Sequence, residues 1–158
     1  MSTAIPTDIV DTDTHRRLAV DLFNHVWTLL ETEDRSQEQD DEMVHAAHAS
    51  RWHWAQTGDA KLARRLAVGE WQCSRVYAVL GRPDAALHHA GRCVAIAEGA
   101  ELEAWVLASA YEAMARAAMV AGDTPELERW RDRAREAADR IDDAEERQAI
   151  DADLATLA

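Results

Sequence analysis

The feature that most constrains this chain is the spacing of its helix-stopping residues. Gly58, Gly81, Gly99 and Gly122 punctuate the sequence, and Pro83 and Pro125 stand just beyond two of them. Between these stops the residues are rich in Ala, poor in β-branched types, and apolar at helical intervals. Such stretches favour helix over strand. No stretch alternates with period two over a useful length, so no strand is expected. A chain written this way can bury its apolar stripes only by stacking one helix on the next.

With 158 residues the chain has the length of one domain. Residues 1–10 read as a flexible leader, and residues 11–158 as a single helical domain of about seven helices. Asp13 is expected to cap a first helix running to about Leu30, with Leu18, Ala19, Phe23, Val26, Trp27 and Leu30 along one side. The acidic stretch ETEDRSQEQDDE leads into a second helix that ends near Gly58. Asp59 is expected to start a third, ending at Gly81, and Arg82-Pro83-Asp84 to open a fourth, ending at Gly99. A fifth covers about Glu101 to Ala121. Thr124 is expected to cap the sixth, with Pro125 at its first position. The last follows Asp142-Asp143 and carries Ile150, Leu154 and Leu157 on one stripe.

A formal net charge of −13 argues against nucleic acid or an anionic membrane as a partner, since a phosphate surface would repel the chain. The charge is uneven. Seven acidic residues lie between Glu31 and Glu42 against Arg35 alone, whereas Lys61 to Arg92 carries Lys61, Arg64, Arg65, Arg75, Arg82 and Arg92 against Glu70 and Asp84. A basic middle can draw a carboxylate or phosphate locally. Cys73 and Cys93 form no CxxC pair and read as reduced core residues. The start lacks a secretory pattern and no stretch has the length of a membrane span, which leads to the expectation of a cytoplasmic protein.

The segment EWQCSRVYAVLGRPDAALHHAGRCVAIAE resembles a tetratricopeptide (TPR) repeat. Cys73 and Ser74 stand at its apolar and small positions, Tyr77 at its aromatic one and Gly81 at its turn. Ala86, Ala90 and Cys93 fall where small residues let the second helix approach. A second copy is placed by its turn: Met114 and Ala115 align with Cys73 and Ser74, Gly122 with Gly81, and Ala134 with Cys93. It departs from the pattern at Ala118, Leu127 and Arg131. The resemblance, which covers Glu70 to about Glu136, implies an all-α, TPR-like right-handed array of antiparallel hairpins with a C-terminal capping helix.

It also implies that the first helix of each repeat lines a concave, peptide-binding groove. Carried over, the groove positions are Val68, Trp71, Arg75, Ala78 and Val79, then Ser109, Glu112, Arg116, Met119 and Val120. Helical phase selects an overlapping set, because Trp71 and Arg75 lie one turn apart, as do Trp105 and Ser109, and Glu112 and Arg116. Arginines beside tryptophans suit a carboxylate, with a bidentate fork next to a flat apolar wall. The expected function is therefore a non-enzymatic protein- or peptide-interaction module. Trp71, Arg75, Trp105, Glu112 and Arg116 would bind an acidic peptide or a small carboxylate, with no cofactor.

A second reading comes from HAAHASRWHW, residues 45–54. Asp41, His45, His48 and Trp52 share a stripe, and Met43, Ala47, Ser50 and Trp54 share the opposite one. In this alternative, His45, His48, Arg51, Trp52 and Glu70 form a small-molecule or metal site between the second and third helices. Glu42-x-x-His45 has the spacing found in di-iron bundles, but no second copy accompanies it. No nucleophile elbow, phosphate loop or zinc-protease motif occurs, so an enzyme built on this site would have to be of an unfamiliar kind. A homodimer that buries exposed helical faces is a third reading.

Overall fold

Seven helices form in the computed structural model, which describes residues 10–157: α1 Thr12–Leu30, α2 Gln37–Ala55, α3 Leu62–Val79, α4 Pro83–Gly99, α5 Ala104–Ala121, α6 Thr124–Ala138 and α7 Ala144–Ala155. All but residue 10 of the expected leader lies outside the described residues.

Helices α1, α2, α6 and α7 begin where a side chain takes over a free backbone N–H group. Ser36 and Gln39 close a reciprocal capping box at the start of α2, and Asp143 accepts from the Glu146 N–H at the start of α7. Several expected boundaries shift for the same reason. Asp11, not Asp13, accepts from Thr14 and caps α1, and Asp123, not Thr124, accepts from Glu126 and caps α6. Asp59 turns the chain by accepting from the Lys61 N–H, so α3 begins at Leu62. Glu101 is not helical: it takes a φ of 50°, and α5 starts at Ala104.

Gly81 and Gly122 sit at equivalent turns, with φ of 68° and 74°. In each case the next residue donates back across the turn, Arg82 to the Tyr77 carbonyl and Asp123 to the Ala118 carbonyl, both at 2.9 Å. This left-handed stop reverses the chain within two residues and sets the following helix antiparallel. Helices α1 and α2, α3 and α4, and α5 and α6 pair as hairpins, and α7 packs separately on α5 and α6. Helix α3 touches both α1 and α5, so these three make one layer and α2, α4 and α6 the other.

Small residues allow close approach, and hydroxyls lock it. The Ser50 hydroxyl donates to the Ala19 carbonyl at 2.7 Å, joining α2 to α1, and Ser74 donates to the Ala86 carbonyl at 2.8 Å, joining α3 to α4. Gln72 reaches the Phe23 carbonyl of α1 at 3.0 Å. Around these links lie three main apolar clusters. Val26, Met43, Cys73 and Val76 fill the first, Ala67, Cys93 and Val106 the middle, and Tyr111, Leu127, Trp130, Ile150 and Leu154 the last. The Ile150, Leu154 and Leu157 stripe of α7 is buried as its spacing suggests.

Two glycines give opposite expectations in urea denaturation. A Cβ at Gly91, inside α4, meets nothing within 4 Å, so Gly91→Ala should stabilise by about 0.5–1 kcal/mol through helix propensity. Gly122→Ala must hold a positive φ and should destabilise by about 1–2 kcal/mol. Equal midpoints for the two variants would contradict this assignment of the turn.

Candidate ligand groove

The layer formed by α1, α3 and α5 meets α7 along a hollow of about 360 Å³. Phe23 and Trp27 come from α1, Val68 and Trp71 from α3, Trp105 from α5, and Ala149, Ile150 and Asp153 from α7. The rings brace one another: Trp27 lies 5.6 Å from Trp71 and 6.5 Å from Phe23. The Trp71 indole N–H is buried without a hydrogen-bond partner among the described residues. An unpaired buried donor typically costs about 1–3 kcal/mol, so its presence in a wall of the hollow is notable.

A second hollow of about 340 Å³ shares Phe23, Val68 and Trp105 with the first. Its remaining wall is Trp54, Lys61, Arg64 and Arg65. Two guanidiniums lie over rings there, Arg64 at 5.1 Å from Trp105 and Arg65 at 4.6 Å from Trp54. Arg65 is also ion-paired to Asp59, which Arg16 meets at 3.5 Å.

Trp71 and Trp105 thus face one hollow, together with Val68 and Ser109 from the wider set of groove positions. The charged members lie deeper. Glu112 is 1 % exposed, although helical phase put it on the face opposite the core. It accepts from Arg116 at 2.7 Å and lies 3.4 Å from Arg75. Arg75 also pairs with Asp153 of α7 at 3.1 Å, and Arg116 donates to the Asp153 carbonyl and the Thr156 hydroxyl. Both arginines are largely buried. Their donors are held by the chain's own acceptors, and the cluster ties α3 and α5 to α7. Burial pushes the Glu112 carboxyl above the usual carboxylate range, against the pull of Arg75 and Arg116. Ala78, another expected groove position, instead packs with Ala86 and Ala117 in the core.

The histidine stripe divides. His45 and Trp52 are exposed, and Trp52 stands edge-on to His15 at 5.6 Å. The buried side of α2 is the opposite stripe, with Met43, Ala46, Ala47 and Ser50. Only His48 turns toward α3, bonding the Tyr77 hydroxyl at 2.9 Å. Arg51 and Glu70 do meet, at 2.9 Å, and two α4 side chains missed by sequence reasoning complete their cluster: His89 at 2.7 Å and Arg92 at 3.0 Å from the Glu70 carboxylate. His89 also stacks on Tyr77 at 5.5 Å. The usable signal was the i, i+3 step from His89 to Arg92, opposite an acidic residue on an otherwise small-residue face. Gly69 belongs to this junction, since a Cβ there would come within 2.9 Å of the Arg51 side chain.

Among the described residues no group of three or more His, Cys, Asp or Glu side chains is placed to hold a metal ion. Burial pushes both the Cys73 and Cys93 thiols up to about 12, which removes them as nucleophiles at neutral pH. Among the described residues no helix is long and apolar enough to cross a membrane. Comparison with protein-family models, curated proteins and solved structures returned no match. What stands is an all-α architecture of hairpin pairs with a separate C-terminal helix.

The two buried glutamates respond differently to neutralisation. Burial alone would raise the Glu70 pKa, but His89, Arg92 and Arg51 hold it at about 2. Its folded value lies below its unfolded one, so its contribution is present above about pH 4.5 and is lost as pH falls toward 2. Glu70→Gln leaves the largely buried Arg51 without a carboxylate, while the half-exposed Arg92 can turn to solvent, and should cost about 1.5–3 kcal/mol at pH 7. Glu112→Gln leaves Arg75 its Asp153 carboxylate and Arg116 the Asp153 carbonyl and the Thr156 hydroxyl, so it should cost clearly less. Urea melts of both variants at pH 7 check the order, and a larger loss in Glu112→Gln would contradict it.

Proposed function

We propose that this chain is a non-enzymatic interaction module whose concave groove receives the apolar part of its ligand. The supporting observation is the hollow walled by Trp27, Trp71 and Trp105, with a buried indole donor that has no partner among the described residues. Ligand sites are commonly clefts of about 300–1,000 Å³, mostly apolar and carrying a few polar groups, and this one has that character. Aromatic walls bring large contact area at small entropic cost, because they are already packed against one another.

The TPR-like reading of Glu70 to Glu136 supports the same face, since it assigns ligand contact to the layer that contains α3 and α5. Within that face the roles divide. Trp71 and Trp105 contact the ligand, while Arg75, Glu112 and Arg116 hold α7 in place as the far wall. The alternative site between α2 and α3 has no comparable support: Arg51, His89 and Arg92 satisfy Glu70 from within, and His45 and Trp52 stand outside that cluster.

A neutral apolar fluorophore tests this directly. N-phenyl-1-naphthylamine should brighten and blue-shift on binding, with one site per chain and energy transfer from tryptophan. Ala149 is an exposed α7 residue that lines the hollow, so Ala149→Trp should plug it and reduce binding at least about tenfold. The circular dichroism of that variant should be unchanged. Unaltered binding by a folded Ala149→Trp would place the ligand elsewhere.

A further inference from the structure

Resting on the groove reading above, we propose that the ligand is a small amphipathic anion, with an apolar body in the tryptophan-walled hollow and a carboxylate at the N-terminus of α3. The two hollows share Phe23, Val68 and Trp105 but differ in charge. No carboxylate lines the one that holds Lys61, Arg64 and Arg65. The walls of the apolar one include Glu146 and Asp153 of α7. An anionic head is repelled from the α7 wall and drawn to the α3 end, so the site imposes one orientation.

The cations at that end are not equivalent. Arg65 is fixed by Asp59 and by the Trp54 ring. Arg64 lies 3.6 Å from Glu103, with both side chains about half exposed, a weak pair that a ligand carboxylate can displace. Lys61 is exposed and has no carboxylate in ion-pair range among the described residues. Asp59 already meets the start of α3 by accepting from the Lys61 N–H, so the attraction for a ligand carboxylate comes from the Lys61 and Arg64 side chains themselves. The helical rise puts Arg64 and Lys61 about 10–15 Å along α3 from Trp71. A carboxylate with an apolar body of roughly ten carbons spans that length and lays its apolar end against the Trp71 ring. The basic middle of an otherwise acidic chain thereby acquires a specific use.

Displacement of N-phenyl-1-naphthylamine by a matched pair, decanoate and decanol, tests the proposal. In the wild-type protein at low salt, decanoate should displace the dye at a concentration at least about fivefold lower than decanol needs. In Lys61→Glu/Arg64→Glu that preference should vanish or reverse, with decanol unchanged. Raising the salt should weaken decanoate only. Decanol equal to or better than decanoate, or a preference that survives in the double variant, would overturn the anion assignment. It would leave the groove reading standing, because the dye still binds. Failure of the dye itself to bind would remove both.

Discussion

The interaction on which the rest depends is the ion cluster around Glu112. One carboxylate, taken almost wholly out of water, is held between Arg75 of α3 and Arg116 of its own helix, and both guanidiniums reach on to α7 through Asp153 and Thr156. A lone buried charge would cost several kcal/mol. The two guanidiniums that share this carboxylate also hold α7, and this makes the position of α7 depend on α3 and α5. The apolar stripe of Ile150, Leu154 and Leu157 then seals α7 onto α5 and α6.

The hollow follows from that closure. With Arg75 and Arg116 satisfied internally, its inner wall is made mainly by the rings of Phe23, Trp27, Trp71 and Trp105. On the other side of α3, Glu70 acts in a parallel way, drawing Arg51 of α2 and His89 and Arg92 of α4 onto one carboxylate. Helix α3 thus carries an ion cluster on each flank. A helix held on both flanks keeps Trp71 beside Trp27 in the wall of the hollow.

The helices themselves were legible in the sequence because Gly58, Gly81 and Gly122, all with positive φ, and Pro83 act locally, through backbone conformations that need no tertiary partner. The same holds for the buried α7 stripe. Cap positions slipped by one or two residues where two candidates competed, as Asp11 did with Asp13 and Asp123 with Thr124, because only geometry selects between neighbouring acceptors. The placement of Trp71 and Trp105 in one wall could be read from helical phase. The burial of Glu112 could not, since phase alone puts Glu112 and Arg116 on a polar face, and the covering α7 is supplied from far along the chain. His89 and Arg92 were missed for the same reason: their partner Glu70 is on another helix. The histidine stripe had the right periodicity, but α2 turns its other side to the core.

The most direct test of the groove is to watch its indoles one by one. In a ¹H–¹⁵N spectrum the tryptophan side-chain N–H signals are resolved from the backbone. Trp130 is an internal control, because its indole already donates to Glu126 at 3.0 Å in the α5–α6–α7 core. Titration with N-phenyl-1-naphthylamine should move the Trp27, Trp71 and Trp105 signals together, Trp71 most of all, and leave Trp130 in place. Shifts confined to the exposed Trp52, or a uniform shift that includes Trp130, would contradict a ligand site in the concave groove.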